Sequence, residues 1–425
     1  MHELTALLKK DMLPALGVTE PGAIAFCVAT ARRFADGELK CLHLTLNSGM
    51  YKNGFTCGIP HCDEFGNNYA AALGYIAGNA DKGLQSLEDV TDEDLKAAKA
   101  LVNRGKITVD LGEITSRIYI QVDLYAFRNT VTVIAENAHT NLTKIIVDGK
   151  VILDNSPSSV GETEDTVPLI HRYTLKELFD YAIHIPEDEI AFVKQAYEMN
   201  LALFYEGIQN KRTVFTRTLL AINNGKVISD REQETAELLC GGAIEARVLG
   251  LDLPAMSITG SGAHGIIATL PLYASYKVNG YKEDLLLRAT VLSYLVCTYI
   301  KEYSGKLSAF CGCGIAAGTG MAAGLCLLKG GDASAAARTI NNMASSITGM
   351  ICDGGNQGCT MKGISATAAA FQSSTLALHG VCVDSIHGIN GLTPEDTMRN
   401  MGLIASPGMI ATEQTIVEIQ QSKGI

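Results

Sequence analysis

The sequence has no tryptophan, only 10 prolines, and aromatic residues at 6% of the chain. Its core must therefore come from aliphatic side chains and close backbone packing, and a proline-rich linker protein is excluded. Positive charge is also short: 34 Lys and Arg stand against 45 Asp and Glu, for a net charge of −11. A chain this acidic has no electrostatic footprint for DNA, RNA or anionic lipid, so the expected partner is a small molecule. The longest apolar run, residues 285–300, is broken by Arg288 and is too short to span a bilayer. The opening MHELTALLKK shows no apolar stretch before a small-residue cleavage site, so no signal peptide is read and a cytoplasmic location is expected. The GxxxxGK(S/T) phosphate loop and the GxSxG nucleophile elbow are both missing. Residues 318–324 hold one residue too many for a GxGxxG dinucleotide loop and follow no strand pattern.

Glycine is abundant, at 42 of 425 residues, and 47% of the chain is hydrophobic, which supports a sizeable core and excludes disorder. There are 12 cysteines. In a reducing compartment these read as buried apolar residues, metal ligands or catalytic groups before disulfides.

Residues 1–37 read as two helices split around Gly17-Val18-Thr19-Glu20-Pro21-Gly22, with Thr19 as the expected N-cap. Leu42, Leu44 and Leu46 alternate with polar neighbours, as do residues 117–127, 130–134 and 143–153, where Asp148-Gly149 signals a hairpin. Residues 40–155 thus predict a small, mostly antiparallel sheet with accompanying helices. A polar break at residues 155–167 sets the expected domain boundary, giving domains 1–160 and 161–425, with the first helices free to pack on the second domain. Beyond it, Ala-, Leu- and Gly-rich segments with helical spacing run over 187–208, 232–249, 265–276, 283–304, 314–329, 333–350 and 364–379. The fold class expected is α+β: an N-terminal α/β portion, then a large, tightly packed, mainly helical domain.

Four Gly-rich polar segments interrupt this pattern: residues 47–54, 259–265, 310–314 and 352–359. Glycine lets backbone N–H groups face a ligand without a Cβ in the way. Two of the segments carry Cys311, Cys313, Cys352 and Cys359. Their CxC and Cx6C spacing suits zinc knuckles poorly, leaving an iron–sulfur centre or buried thiols. Cys27, Cys240, Cys297, Cys326 and Cys382 sit in apolar helical patterns and read as small core residues. His61 with Cys57 and Cys62 is a weaker metal trio. Lys52 and Lys362 lie near Gly-rich loops, with nothing further to point to pyridoxal phosphate.

Thr19-Glu20-Pro21, NSGMYKNG from Asn47, GSGAHG from Gly260, CGCGIAAGTG from Cys311 and CDGGNQGC from Cys352 occur in this order along the chain. In that combination, over nearly the whole length, the sequence resembles the L-cysteine desulfidase family, which is related to the α-chain of bacterial iron–sulfur L-serine dehydratases. The resemblance implies a [4Fe–4S] cluster held by three cysteines, with one iron left open. Cys352 and Cys359 match the closing pair. Cys313 is the third ligand, because the dehydratase pattern places a glycine five residues on, where Gly318 stands; Cys311 is the fallback. The same resemblance places Thr19, Glu20, Ser48, Asn53 and His264 in the site, with Ser261 and Gly262 in the substrate-binding loop and Lys52 adding charge. His264, Glu20 and Lys52 are then the catalytic candidates.

The chemistry implied is β-elimination from L-cysteine, giving pyruvate, ammonia and sulfide. A positioned base removes the α-proton and a Lewis acid helps the leaving group. L-serine or a related β-substituted amino acid, and a non-catalytic iron–sulfur or amino-acid-binding homologue, are the competing readings. One departure bears on the choice. The desulfidases read Gly-Cys-Thr-Glu-Pro where this chain has Gly17-Val18-Thr19-Glu20-Pro21. A homodimer is the general expectation for a cytoplasmic enzyme.

Overall fold

The computed structural model describes residues 1–156, 167–305 and 307–423. The fold is α+β, as the sequence pattern predicts. Alternation drives the sheet: β2 (Leu39–Leu46), β4 (Tyr119–Ala126), β5 (Thr130–Glu136) and β6 (Leu142–Val147) each bury every second side chain. With β3 (Ile107–Leu111) and β7 (Lys150–Asp154) they form one sheet in the order β3-β2-β4-β5-β6-β7. Only the β2–β3 pair is parallel. Asp148 and Gly149 turn the β6–β7 hairpin with φ of 48° and 77°, the two positive values that match the strand twist.

The buried face of this sheet lies against helix Thr19–Arg32, whose sequence is Ala-rich and apolar almost all round. A helix of that kind is stable only when enclosed. Helix Asn67–Ile76 covers it on the other side. The second part of the chain is helical, with Glu232–Val248, Gly262–Asn279, Glu283–Ser304, Gly318–Leu328, Ala333–Ile347 and Gly358–Leu378 packed around one core. Small residues set the spacing. A Cβ on Gly265 would fall 1.8 Å from the Met256 carbonyl oxygen, so only glycine lets that helix lie against the strand beside it.

That strand, β8 (Pro254–Ser257), pairs antiparallel with β1 (Leu13–Leu16), in register from Leu13 opposite Ser257 to Leu16 opposite Pro254. The pairing ties the start of the chain to the helical part. Leu4, Leu8, Met12 and Val18 belong to the helical core, whereas Ala23 and the residues after it belong to the sheet core. The chain crosses between the two cores at residues 18–23, and Thr19 and Glu20 stand at that seam. The boundary expected near residue 160 falls on 157–166, outside the described residues.

Several local expectations are corrected. β1 and β8 carry no visible alternation, because four residues are too few to display it. Residues 48–54 form a short helix, Ser48–Gly54, and not an open loop. Val18, not Thr19, occupies the N-cap of the second helix, and no side chain caps it. Cys382 is exposed, while Cys27, Cys240, Cys297 and Cys326 are in the core as expected. No helix among the described residues is long and apolar enough to cross a membrane.

The C-terminal helix Ile410–Gln421 is pinned to helix Ser48–Gly54 by a buried ion pair, Lys52 Nζ to Glu413 Oε2 at 2.6 Å. Lys52 also donates to the Ser308 carbonyl at 2.9 Å. Removing one member of such a pair strands the other charge in a dry environment. Glu413→Gln is therefore expected to lower the unfolding free energy by about 3–5 kcal/mol, and the Lys52→Met/Glu413→Leu double variant to recover most of it. Urea denaturation of the three proteins checks this.

Candidate active site at the seam between the sheet and the helices

A cleft of about 240 Å³ opens where the two cores meet. Its lining comes from distant stretches: Val18, Thr19 and Glu20 at the start of one helix, Asn53, His139 from the turn between β5 and β6, Gly260, Ser261, Ala263 and His264, and the cysteine loops. Three helices point their N-termini toward it, beginning at Thr19, Gly262 and Gly358. Each contributes the positive end of its dipole. The starts at Thr19 and Gly262 have no side-chain cap, whereas the Gly358 N–H is taken by Asn356 Oδ1 at 2.7 Å and those of Cys359 and Thr360 by backbone carbonyls.

The two cysteine loops are joined by backbone. Phe310 and Ile351 form an isolated antiparallel bridge, Cys311 N–H donates to the Met350 carbonyl at 3.1 Å, and Cys352 N–H donates to the Ala309 carbonyl at 2.6 Å. After Cys313 the chain makes a single π-helical turn, Cys313–Ala317, before the next helix, a local widening common at functional sites. Gly354 (φ 112°) lets the second loop press on the Lys52 carbonyl, where a Cβ would come within 2.5 Å. Gly355 N–H donates to the Asn53 carbonyl at 3.1 Å.

Cys313, Cys352 and Cys359 line the cleft together. Cys311 lies behind them, hydrogen-bonded to Cys313 and accepting the Gly314 N–H at 3.4 Å. Burial pushes the Cys359 thiol up to about 12 and raises that of Cys352, although Lys362 and Lys52 pull the other way. Thiols in this state ionise only against a bound cation, which is how a metal centre would be recognised here. Among the described residues no three His, Cys, Asp or Glu side chains converge on a single metal ion. That leaves the zinc reading and the Cys57–Cys62–His61 trio without a site. Thiolates of an iron–sulfur cluster bind different irons and converge on a cavity instead of a point, and the donor set here fits that group.

His264 sits in the first turn of helix Gly262–Asn279, 5% exposed. Its Nδ1 is 2.5 Å from Thr259 Oγ1, whose proton goes to the Ile258 carbonyl at 2.7 Å. Thr259 must then accept, so Nδ1 carries the imidazole proton and Nε2 keeps a free lone pair. Nε2 packs against Gly312, where a Cβ would come within 2.8 Å. Burial, reinforced by the nearby charges of Lys301 and Arg247, lowers the His264 pKa from 6.5 to about 3. Across the cleft, Glu20 accepts a hydrogen bond from Asn53 Nδ2 at 2.8 Å. Thr19 Oγ1 donates to the Gly260 carbonyl at 3.4 Å, linking two of the helix starts.

Of the residues expected from sequence, Thr19, Glu20, Asn53, Ser261, His264, Cys313, Cys352 and Cys359 meet in the cleft. Ser48, Lys52 and Gly262 lie outside its lining. Ser48 Oγ accepts the Thr115 N–H at 3.2 Å, and the Lys52 ammonium is held by Glu413. Arg247, Lys301, Asp11 and His139 also line the cleft and were not anticipated. The available signal for the first two was a lone cation inside an Ala/Gly-rich or apolar helix.

The His264 assignment has a measurable consequence. In a histidine-selective NMR titration, one of the 9 imidazoles should keep its neutral signature down to about pH 5. Because the folded pKa lies below the unfolded one, the stability contributed by this neutral ring is complete above pH 6.5. It is lost progressively as the pH falls toward about 3.

Comparison with known proteins matches residues 81–418 to the family described as serine dehydratase alpha chain. A UPF0597 protein of Clostridium botulinum is 38% identical over 97% of each chain. UPF0597 proteins of Alkaliphilus oremlandii (35% identical, over 98% of this chain and 97% of the relative) and Caldanaerobacter subterraneus (34%, over 99% and 98%) are similar along the same span. With its cysteine loops, helix starts and histidine gathered in one cleft, the chain belongs to the serine dehydratase alpha chain family.

Proposed function

We propose that this protein is an iron–sulfur lyase that eliminates the β-substituent of a small L-amino acid, with L-cysteine as substrate and pyruvate, ammonia and sulfide as products. The observation that carries this reading is the meeting of Cys313, Cys352 and Cys359 with Glu20, Asn53 and His264 in one cleft. Membership of the serine dehydratase alpha chain family points to the same broad class, an amino-acid dehydratase-like lyase.

Cys313, Cys352 and Cys359 would hold a [4Fe–4S] cluster with one open iron, and Cys311 is the reserve thiol. When bound, that group supplies Lewis-acid help to the departing β-thiol, a soft donor suited to iron. His264 takes the α-proton on Nε2, since its other nitrogen is held protonated by Thr259. The α-carbon electron pair then forms the double bond as the β-thiolate leaves. The aminoacrylate released becomes an imine in water and hydrolyses to pyruvate and ammonia. Glu20, oriented by Asn53, faces the substrate ammonium, and Thr19 and Ser261 border the bound molecule. Ser48, Lys52 and Gly262 support these groups from behind the cleft wall.

One observation favours a second reading. Val18 lines the cleft where the desulfidases are expected to carry cysteine, and valine can neither ionise nor transfer a proton. L-serine, with its oxygen leaving group, is the substrate this favours. Anaerobic assay with each amino acid separates the cases. The proposal predicts equal amounts of pyruvate and sulfide from L-cysteine. Pyruvate from L-serine alone would establish the second reading, and release from neither, despite amino-acid binding, would mark a non-catalytic homologue. His264→Gln is expected to lower kcat by about 10²–10⁴-fold with a small change in KM.

A further inference from the structure

Two buried charged residues lie two positions apart on helix Glu232–Val248, and their surroundings differ. Glu245 is fully buried and satisfied: it accepts the N–H groups of Val214, Phe215 and Thr216 at 2.7–3.0 Å and the Thr216 hydroxyl at 2.6 Å. Arg247 is 5% exposed and lines the cleft, and its Nε is buried with no hydrogen-bond partner. A guanidinium N–H taken out of water without an acceptor is costly, and an anion entering the cleft would supply one.

The wall opposite is built to share that anion. Helix Gly262–Asn279 starts at the cleft, and its N-cap, Ser261, makes no side-chain capping bond, leaving first-turn N–H groups available. Gly262 is cut to fit the guanidinium: a Cβ there would come within 2.8 Å of Arg247 Nε. Lys301, 7% exposed, lines the same cleft and donates to the Gly305 carbonyl at 2.8 Å. Asp11 accepts the Thr259 N–H at 2.7 Å at the edge of this group. Resting on the reading above, we propose that Arg247 is the carboxylate anchor of the site, binding the α-carboxylate of the amino acid with the helix N-terminus and Lys301 completing the pocket.

Calorimetry on the anaerobic holoprotein tests this with three probes: L-alanine, which has no β leaving group, its carboxamide L-alaninamide, and pyruvate. Wild type should bind L-alanine roughly 30-fold or more tightly than L-alaninamide, the size of one charge-assisted hydrogen-bonded contact. Arg247→Gln should abolish that preference and raise KM for the reacting substrate with a smaller change in kcat, whereas Arg247→Lys should retain part of both. Gly262→Ala, which crowds Nε and keeps the charge, should weaken carboxylate binding if Arg247→Gln fails to fold. Arg247-dependent binding of pyruvate without binding of L-alanine would sustain the anchor and sink the amino-acid reading. Binding of neither carboxylate by wild type, or an unchanged preference in Arg247→Gln and Gly262→Ala, would overturn the inference.

Discussion

The short backbone ladder between residues 309–311 and 350–352 is the constraint on which the site depends. Two hydrogen bonds, which make up the bridge between Phe310 and Ile351, bring together cysteine loops separated by about forty residues, and they do so without using the sulfurs. The thiols stay available because the backbone has already positioned them. Everything else in the cleft is arranged around that join. The π-helical turn re-aims Cys313, Gly354 allows the second loop to lie on the Lys52 carbonyl, and His264 packs on Gly312 between the two cysteines of the first loop.

The cleft is less acidic than the protein as a whole. The chain carries −11 overall, yet in the cleft Arg247 and Lys301 stand beside Asp11 and Glu20, next to the starts of three helices. Net charge governs encounter with large polyanions at long range; a small carboxylate responds to the few groups within contact. A depressed imidazole and buried neutral thiols are the expected state of such a site before ligand and metal compensate the buried charges.

Much of this was legible in the sequence, for reasons that differ by element. Strands β2, β4 and β5 announced themselves because one face is buried and the other is not, so burial leaves a period of two. Helix Glu283–Ser304 was read to the residue, with acidic residues opening it and Gly305 closing it. β1 and β8 were not legible: Leu-Pro-Ala-Leu and Pro-Ala-Met-Ser are too short for periodicity, and their pairing joins segments about 240 residues apart. β3 escaped for the same reason. The helix Ser48–Gly54, with two glycines in seven residues, has a poor local propensity and forms because Lys52 and Asn53 are tied to distant partners. In the cleft, motif residues were found through glycine-rich loops. Arg247 was hidden because a single arginine in an Ala/Gly-rich helix looks like an exposed charge until the packing reveals that it is enclosed.

The central claim is that three cysteines in this cleft hold an iron–sulfur cluster, and iron analysis tests it most directly. Protein purified or reconstituted without oxygen should contain about four irons and four acid-labile sulfides per chain, with Cys352→Ala losing them while remaining folded. A folded wild-type chain that takes up neither iron nor sulfide would contradict the account.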